Sequence, residues 1–303
     1  MKVEIKEVDE KTGIVRITYG DDRWYFDPVK RQNGLPNVVA RPSITWIGGY
    51  WYKGKDLLRW MVEHNSWEDV ENGLAEAGTR GSKVHNAIEK FFVGEKVRHD
   101  IKLLNPATGA EEEITGEEFF HVKTFTQWWE EFKTQFDSVE IVEVEKSHTV
   151  QGEEGMERGY GFTVDLVLVG VKNGKRQVII IDLKTGKSIW KSASIQISGI
   201  KYGLTKEKKI EGIENAMLYI LQTGYKANKV KKYKLTEMEY RVDRLKTCYA
   251  MWADENSEKN PEDEYFPLEF ALDLKDVTAP DGTLYVSPKK NVPGASSMWR
   301  ILM

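Results

Sequence analysis

An acid and a base stand two residues apart at the end of a strongly apolar run. The run Val178–Ile181 is rich in β-branched residues, which is typical of a buried strand, and Asp182-Leu183-Lys184 follows it directly. Because side chains alternate sides along a strand, Asp182 and Lys184 are predicted to share one side, while Leu183 points towards the core. The pattern therefore predicts a carboxylate and an ammonium in one pocket.

A second acid, Asp165, lies in another apolar run, Gly161–Leu168, seventeen residues before Asp182. An unpaired carboxylate is unfavourable to bury, and two carboxylates on adjacent strands repel each other. A hard cation such as Mg²⁺ or Mn²⁺ reverses that repulsion and also stabilises charge on a phosphoryl group, while Lys184 orients a water molecule. These parts suit phosphodiester hydrolysis. From spacing alone, a structural Asp–Lys salt bridge explains the pattern equally well.

Asp165 together with Asp182-Leu183-Lys184 resembles the signature of the PD-(D/E)XK nuclease superfamily. The resemblance spans residues 41–202. Within the superfamily, this part of the chain is most similar to phage-type exonucleases of the RecB-like branch and to the mitochondrial genome maintenance exonuclease. It implies an α/β (mixed α+β) fold with a restriction-endonuclease-like core, in which helices flank a central mixed β-sheet. It also implies one or two Mg²⁺ or Mn²⁺ ions and a DNA substrate.

A glycine and a histidine four residues apart in Arg80–Glu89 extend the resemblance to the RecB-like branch. Members of that branch use this histidine as a metal ligand. The resemblance therefore implies a metal held by His85, Asp165, Asp182 and the backbone carbonyl of Leu183. Without the resemblance, the residues alone favour an ordinary hydrogen-bonded helix histidine.

Two further residues of the catalytic site are implied by the same resemblance. Glu145 matches the acid on the strand that precedes Asp165, although strand alternation also puts Glu143 on that side. Gln196 matches a glutamine that contacts DNA or orients the site in relatives. We therefore expect Glu145 and Gln196 to act beside Asp165, Asp182 and Lys184.

Several basic and aromatic residues near these motifs are expected to contact nucleic acid. They are Arg80, Lys83, Lys187, Trp190 and Tyr202. For Trp190, stacking on an unpaired base and anchoring a helix both remain open. Tyr202 departs from the family pattern, because relatives carry tyrosine where this chain has Ile200.

Composition excludes several other classes of protein. The 303 residues are 40% hydrophobic and 30% charged, as in ordinary globular proteins, and no apolar run could span a membrane. Cys248 is the only cysteine, which excludes an iron–sulfur cluster. Because no phosphate-binding glycine loop is present, we expect no bound nucleotide, and a helicase, recombinase or single-strand-binding protein partner would be a separate chain. We expect a cytoplasmic protein, because the first ten residues lack the apolar centre of a secretory signal.

Periodicity predicts the elements that must position these residues. Val3–Phe26 predicts an antiparallel hairpin around Asp9–Gly13, whose polar residues and glycine suit a turn. Helices are predicted in Trp67–Phe92, Phe120–Phe136, Ser194–Leu204, Ile213–Gln222 and Thr236–Trp252, and strands in Val139–Val144, Gly161–Val171, Gln177–Leu183 and Phe266–Leu274.

The predicted elements divide the chain into three parts. We expect a β-hairpin appendage in 1–40, a nuclease core in 41–252 and an extension packed on that core in 253–303. The expected activity is that of a DNA exonuclease acting in phage or bacterial replication, repair or recombination. A structure-specific endonuclease and a non-catalytic DNA-binding or recombination partner with the same fold remain alternatives.

Overall fold

The structure is a computed structural model. It describes residues 5–19, 22–30, 36–51, 55–64, 66–106, 108–186, 188–227, 230–259 and 261. The predictions for Lys187 and for the strand Phe266–Leu274 lie outside the described residues, as does nearly all of the C-terminal extension.

Six α-helices lie in the described residues, and four of them have fifteen residues or more. The helices are α1 (Ile44–Gly48), α2 (Lys55–Val62), α3 (Trp67–Phe92), α4 (Gly116–Lys133), α5 (Ser192–Glu207) and α6 (Val242–Asn256). Helix α3 has the bounds that the sequence predicted, and Ser66 caps its N-terminus by accepting a hydrogen bond from the backbone of Asp69. Within the described ranges, no helix is both long and apolar enough to cross a membrane.

Eleven strands form three sheets in the same residues. The strands are β1 (Ile5–Val8), β2 (Val15–Tyr19), β3 (Asp22–Lys30), β4 (Pro36–Pro42), β5 (Lys102–Leu104), β6 (Glu111–Glu113), β7 (Ser138–Val150), β8 (Tyr160–Lys172), β9 (Lys175–Lys184), β10 (Met217–Ala227) and β11 (Val230–Glu237). The central sheet has the order β11-β10-β9-β8-β7. Strands β9 and β10 are parallel and the other pairs are antiparallel. A mixed sheet flanked by helices confirms the predicted α/β class.

Helices cover both faces of the central sheet. One hydrophobic cluster joins α3 and α4 to the side chains of Leu166, Ile181 and Leu183. A second cluster joins α1, α5 and α6 to Val164 and Ile180. Because neighbouring residues of β9 belong to different clusters, this strand is buried on both sides, as its run of Val and Ile predicted.

A four-stranded antiparallel sheet, β1-β2-β3-β4, occupies the N-terminal region. It has more strands than the two-stranded hairpin that the sequence predicted for Val3–Phe26. Ile17, Trp24 and Phe26 are buried in the same cluster as α1 and α5. The N-terminal sheet is therefore packed on the central sheet through a shared apolar core.

The helix predicted for Ile213–Gln222 is wrong. A short 3-10 turn, Ile213–Asn215, leads into strand β10, which is parallel to β9. Leu218 packs in one hydrophobic cluster and Leu221 in the other, so β10 is apolar on both sides. A strand buried on both faces lacks the polar–apolar alternation that distinguishes strands from helices, which explains the error.

Candidate metal centre and its cleft

A cleft of about 780 Å³ lies at the C-terminal end of β9, beside Asp165 of β8. Helix α3 forms one wall, α5 closes another side, and strands β2 and β3 of the N-terminal sheet border the cleft as well. His85, Glu145, Asp165, Lys184 and Gln196 all face this cleft. Residues that are far apart in the chain are thus brought to one place.

Asp182 and Lys184 share one side of β9, as strand alternation predicted. The Lys184 Nζ lies 2.9 Å from Oδ1 and 2.8 Å from Oδ2 of Asp182. It also donates a hydrogen bond to Gln196 Oε1 at 3.3 Å. Asp182 is only 1% exposed, so the carboxylate is held inside the protein by this one ammonium, and Gln196 of α5 fixes the other side of the lysine.

His85, Glu145 and Asp165 form a compact group of three potential metal ligands. His85 Nδ1 lies 2.8 Å from Glu145 Oε1 and 3.5 Å from Asp165 Oδ1. One ligand atom from each residue lies within 4.8 Å of the other two. Helix α3 supplies the histidine, and the adjacent strands β7 and β8 supply the two acids.

A single hydrogen bond joins this group to the end of β9. Asp165 Oδ2 accepts it from the backbone N–H of Leu183 at 2.6 Å. The regular antiparallel β8–β9 pairing ends at Leu166 and Ile181, and Asp165 and Asp182 would form the next pair in this register. The Asp165 side chain therefore replaces the next ladder contact and holds its carboxylate beside Asp182-Leu183-Lys184.

The backbone of Glu145 determines which acid of β7 joins the site. Glu145 has φ of 41°, in the left-handed region that an L-residue seldom adopts. Glu143 lies apart and contacts His148 and Lys146 at 2.9 and 2.6 Å. The simple alternation that placed Glu143 and Glu145 on one side is wrong, because the unusual backbone at Glu145 interrupts it.

Burial and mutual charge shift the pKa values of the site. Burial lowers the pKa of His85, but the charges of Asp165 and Glu145 outweigh it and raise the value to about 10. Burial raises the pKa of Asp182 to about 6 against the opposing charge of Lys184. Burial also raises the pKa of Asp165, opposed by His85. The three acids of the site, Glu145, Asp165 and Asp182, thus outnumber its two basic groups, His85 and Lys184.

The donor set suits a divalent cation. An imidazole and two carboxylates within 4.8 Å of one another match the mixed nitrogen and oxygen ligands of Mn²⁺, and carboxylates suit Mg²⁺. Asp182 lies outside that group of three and is bound by Lys184 instead. A cation would favour the ionised forms of Asp165 and Asp182, against the burial that raises the pKa values of both groups.

Two residues predicted to contact nucleic acid are engaged elsewhere. Lys83 is 2% exposed and forms an ion pair of 2.9 Å with Glu118 of α4. Tyr202 donates a hydrogen bond to Glu153 and packs against the core on the α5 side. These contacts argue against the predicted roles, because neither side chain faces the cleft.

The two other described residues of that prediction differ from each other. Trp190 is 42% exposed and borders both the cleft and an adjoining groove. Arg80 lies on α3, yet the cleft is lined by its neighbours Thr79 and Gly81 rather than by Arg80 itself. The position of Trp190 is compatible with contact to a ligand in the cleft, whereas that of Arg80 offers no such support.

Sequence reasoning missed the residues that the N-terminal sheet contributes. Lys11, in the turn between β1 and β2, pairs with Glu89 and donates a hydrogen bond to the Val144 carbonyl at 2.8 Å. Arg16 and Arg23 border the cleft from β2 and β3. Strand alternation could have placed both arginines on the polar side of their sheet, but it gives no indication that this side faces Asp165.

No model of a known protein family matches the chain, and no curated protein matches its sequence.

Proposed function

We propose that the chain is a metal-dependent DNA nuclease of the PD-(D/E)XK type, of the RecB-like branch, and that it acts as an exonuclease. The main support is the joining of the His85–Glu145–Asp165 group to Asp182-Leu183-Lys184 through the 2.6 Å hydrogen bond of Asp165. A structural salt bridge alone accounts for Asp182 and Lys184, but it does not explain why the half-buried acids Glu145 and Asp165 lie together beside His85. The mixed central sheet is compatible with a restriction-endonuclease-like core.

His85, Glu145 and Asp165 would hold the ion. The family resemblance implies Asp182 and the Leu183 carbonyl as further ligands, and Asp182 would then be shared between the ion and Lys184. When bound, a divalent cation would stabilise negative charge on the phosphoryl oxygens and lower the pKa of a water molecule. Glu145 and Asp165 would need to be ionised and His85 neutral for this role. Because the charges of Asp165 and Glu145 raise the pKa of His85 to about 10, binding of an ion by the imidazole would require the loss of a proton from His85.

Lys184 is the residue proposed to act on the nucleophile. Its ammonium is held on two sides, by Asp182 and by Gln196, and it lines the cleft. From there it orients the attacking water towards phosphorus and offsets charge that develops during in-line attack. The expected products carry a 5′-phosphate and a 3′-hydroxyl.

Cleavage of end-labelled DNA tests the proposal. Single- and double-stranded DNA would be incubated with the protein plus Mg²⁺, Mn²⁺ or a chelator. We expect hydrolysis only with metal, and we expect Asp182→Ala and Lys184→Ala to reduce the rate by more than about a hundredfold, the usual effect of losing a group that stabilises the transition state. Circular dichroism would verify that each variant is folded.

The exposed acid Asp100 supplies the matched control, because it does not line the cleft and pairs with Arg98. Asp100→Ala should cleave as the wild type does. Substantial cleavage by folded Asp182→Ala would contradict the assignment of the site. DNA binding without hydrolysis in either metal would favour the non-catalytic partner instead.

Closed circular DNA tests the exonuclease part of the proposal. An enzyme that requires ends leaves single-stranded and duplex circles intact while it degrades the same molecules after linearisation. Rapid cutting of the circles would assign the site to an endonuclease.

A further inference from the structure

One side of the N-terminal sheet faces the candidate metal centre. On β2 and β3, alternate side chains point into the apolar core, among them Ile17 and Trp24. The intervening residues, Arg16, Thr18, Arg23 and Tyr25, line the cleft that contains His85 and Asp165. Arg16 is paired with Tyr25 and Thr18 with Arg23 in the antiparallel register, so the four side chains form one continuous surface. We call this surface the β2–β3 wall.

The β2–β3 wall is docked directly onto the strand that carries Asp165. Tyr25 shares a hydrogen bond of 3.0 Å with Thr163, two residues before Asp165 on β8. The backbone of Gly161 also lies against the Tyr25 ring, since a Cβ at this glycine would stand only 2.3 Å from Tyr25. The position of the wall relative to Asp165 is thus set by close packing and by a polar contact.

The turn between β1 and β2 supplies a second attachment. Lys11 pairs with Glu89 of α3 and donates hydrogen bonds to the carbonyls of Val144 and Glu145. Asp9 accepts a hydrogen bond of 2.5 Å from the backbone of Ser147. The sheet is therefore fastened to both β7 and α3, the elements that present Glu145 and His85.

The opposite wall of the cleft has a different chemistry. The N-terminal half of helix α3 presents Leu74, Ala75, Ala77 and Gly78 there, none of which carries a charge, whereas His85 and Glu89 line the cleft further along the helix. The two arginines of the β2–β3 wall thus provide fixed positive charge beside an acidic centre. Arginine is suited to phosphate because its planar guanidinium donates two parallel hydrogen bonds.

We infer that the β2–β3 wall binds the DNA strand next to the scissile phosphate, with Arg16 and Arg23 contacting the phosphates of neighbouring nucleotides. This inference rests on the proposed function. It assigns the N-terminal sheet to substrate binding and defines the substrate as a polymer, whose phosphates reach from the metal centre to the two arginines. A small phosphodiester engages the metal centre alone.

The experiment compares a polymer with a small diester. Hydrolysis of a linear DNA strand and of bis-p-nitrophenyl phosphate would be measured for the wild type and for Arg16→Gln/Arg23→Gln. We expect the ratio of the two kcat/KM values, DNA over small diester, to fall by about tenfold or more, because charge-assisted hydrogen bonds to phosphate are lost. Arg98→Gln, at an exposed arginine outside the cleft, should leave this ratio unchanged.

Binding of the same fluorescent DNA strand in Ca²⁺ gives an independent readout. The slope of log affinity against log salt should become shallower by about 1.4 in the double variant, since each lost contact to a single strand removes about 0.7. Arg16→Lys/Arg23→Lys keeps both charges and should restore most of this slope. It also shows whether the glutamine variant failed for lack of charge or through misfolding.

The outcomes separate the two proposals. An unchanged ratio and an unchanged salt slope in folded Arg16→Gln/Arg23→Gln would overturn the β2–β3 wall while hydrolysis by the wild type still supports the nuclease. If the wild type hydrolyses neither substrate, the nuclease proposal fails. Loss of DNA binding in the double variant would then still support the wall as a nucleic-acid surface.

Discussion

At the scale of single residues, burial disfavours the ionised forms of the acids in the candidate site. Asp182 is 1% exposed, and burial raises its pKa to about 6 despite the ammonium of Lys184. Burial also raises the pKa of the Asp165 carboxyl group. Buried acids with raised pKa values destabilise a protein at neutral pH unless another group compensates them, and such arrangements cluster at functional sites.

Metal binding by Asp165 should be visible as added stability, independently of any activity. We expect Mn²⁺ at a hundredfold excess over its dissociation constant to raise the free energy of unfolding by about 2.7 kcal/mol. Asp165→Asn should lose most of this increase, because the amide still accepts the hydrogen bond from Leu183 but is a poor ligand. Thermal unfolding with and without Mn²⁺ measures the effect.

Asp100→Asn is the control for this measurement, and it should keep the full response to Mn²⁺ because Asp100 pairs with Arg98 outside the cleft. An equal response in Asp165→Asn would exclude Asp165 as a ligand.

A second buried charge cluster, away from the cleft, predicts a pH-dependent stability. His148 lies 2.9 Å from both Glu143 and Glu207. Burial lowers the pKa of His148, but the hydrogen bonds and charges of the two glutamates outweigh it, so the pKa is raised above 6.5. A raised histidine pKa stabilises the fold fully below the unfolded value, and this stabilisation is lost as the pH rises through the folded value.

The pKa values of Glu143 and Glu207 are lowered by His148 against the effect of burial. Their stabilisation is present above the unfolded value of a glutamate and is lost as the pH falls through the folded one. We therefore expect the stability difference between wild type and His148→Gln to be largest at weakly acidic pH and to shrink at alkaline pH. Urea unfolding across this range measures it, and the exposed His99→Gln serves as control. A difference that grows towards alkaline pH would contradict the assignment.

At the scale of elements, the contact between β3 and β8 decides how the N-terminal sheet is placed. A Cβ on Gly161 would stand 2.3 Å from Tyr25, a separation that packed atoms do not tolerate. We expect Gly161→Ala to lower the free energy of unfolding by about 1–3 kcal/mol, the usual range for overpacking a filled core. Urea denaturation monitored by circular dichroism gives the value.

Gly116→Ala is the matched control, since a Cβ at this position in α4 would meet nothing within 4 Å. Equal stability of Gly161→Ala and wild type would show that the N-terminal sheet can shift on β8, and the rigid placement of Tyr25 would be wrong.

Local patterns predicted local features of the fold and of the site. The period of two placed Asp182 and Lys184 together, and the helical period gave the correct bounds of α3. The alternation of side chains along a strand gave the wrong result for Glu143 and Glu145, because the positive φ of Glu145 depends on contacts that the sequence does not display. Strand β10 was read as a helix because burial on both faces removes its alternation.

Features that depend on how distant segments pack were beyond these patterns. Lys11 contacts Glu89 and Val144, which lie 78 and 133 positions away along the chain, and Arg16 borders the cleft. Their own segment reads as an ordinary amphipathic strand pair, which contains no information about the element it packs against.

At the scale of the whole molecule, the site combines residues from both faces of the central sheet. Asp182 and Lys184 lie on the side of Ile180 and α5, whereas His85 comes from α3 on the other side. Asp165 joins the two through the Leu183 backbone. Both hydrophobic clusters must therefore be intact for the site to form.

This arrangement predicts that a substitution that disrupts one hydrophobic cluster also destabilises the other. Phe125 of α4 is 2% exposed and packs against the rings of Phe91, Phe92 and Trp128. Phe125→Ala should lower the free energy of unfolding by about 3–5 kcal/mol, the usual effect of a large cavity in a core. Because β8 and β9 are shared by both clusters, we expect hydrogen exchange to accelerate in α5 as well as in α3 and α4.

Hydrogen exchange followed by mass spectrometry resolves these helices, with Met251→Ala as the control, since Met251 is 50% exposed on α6 and should alter neither cluster. Acceleration confined to α3 and α4 would mean that the two faces open separately. In that case His85 could leave the site while Asp182, Lys184 and Gln196 stayed together, and the metal centre would assemble only when the α3 layer closes on the sheet.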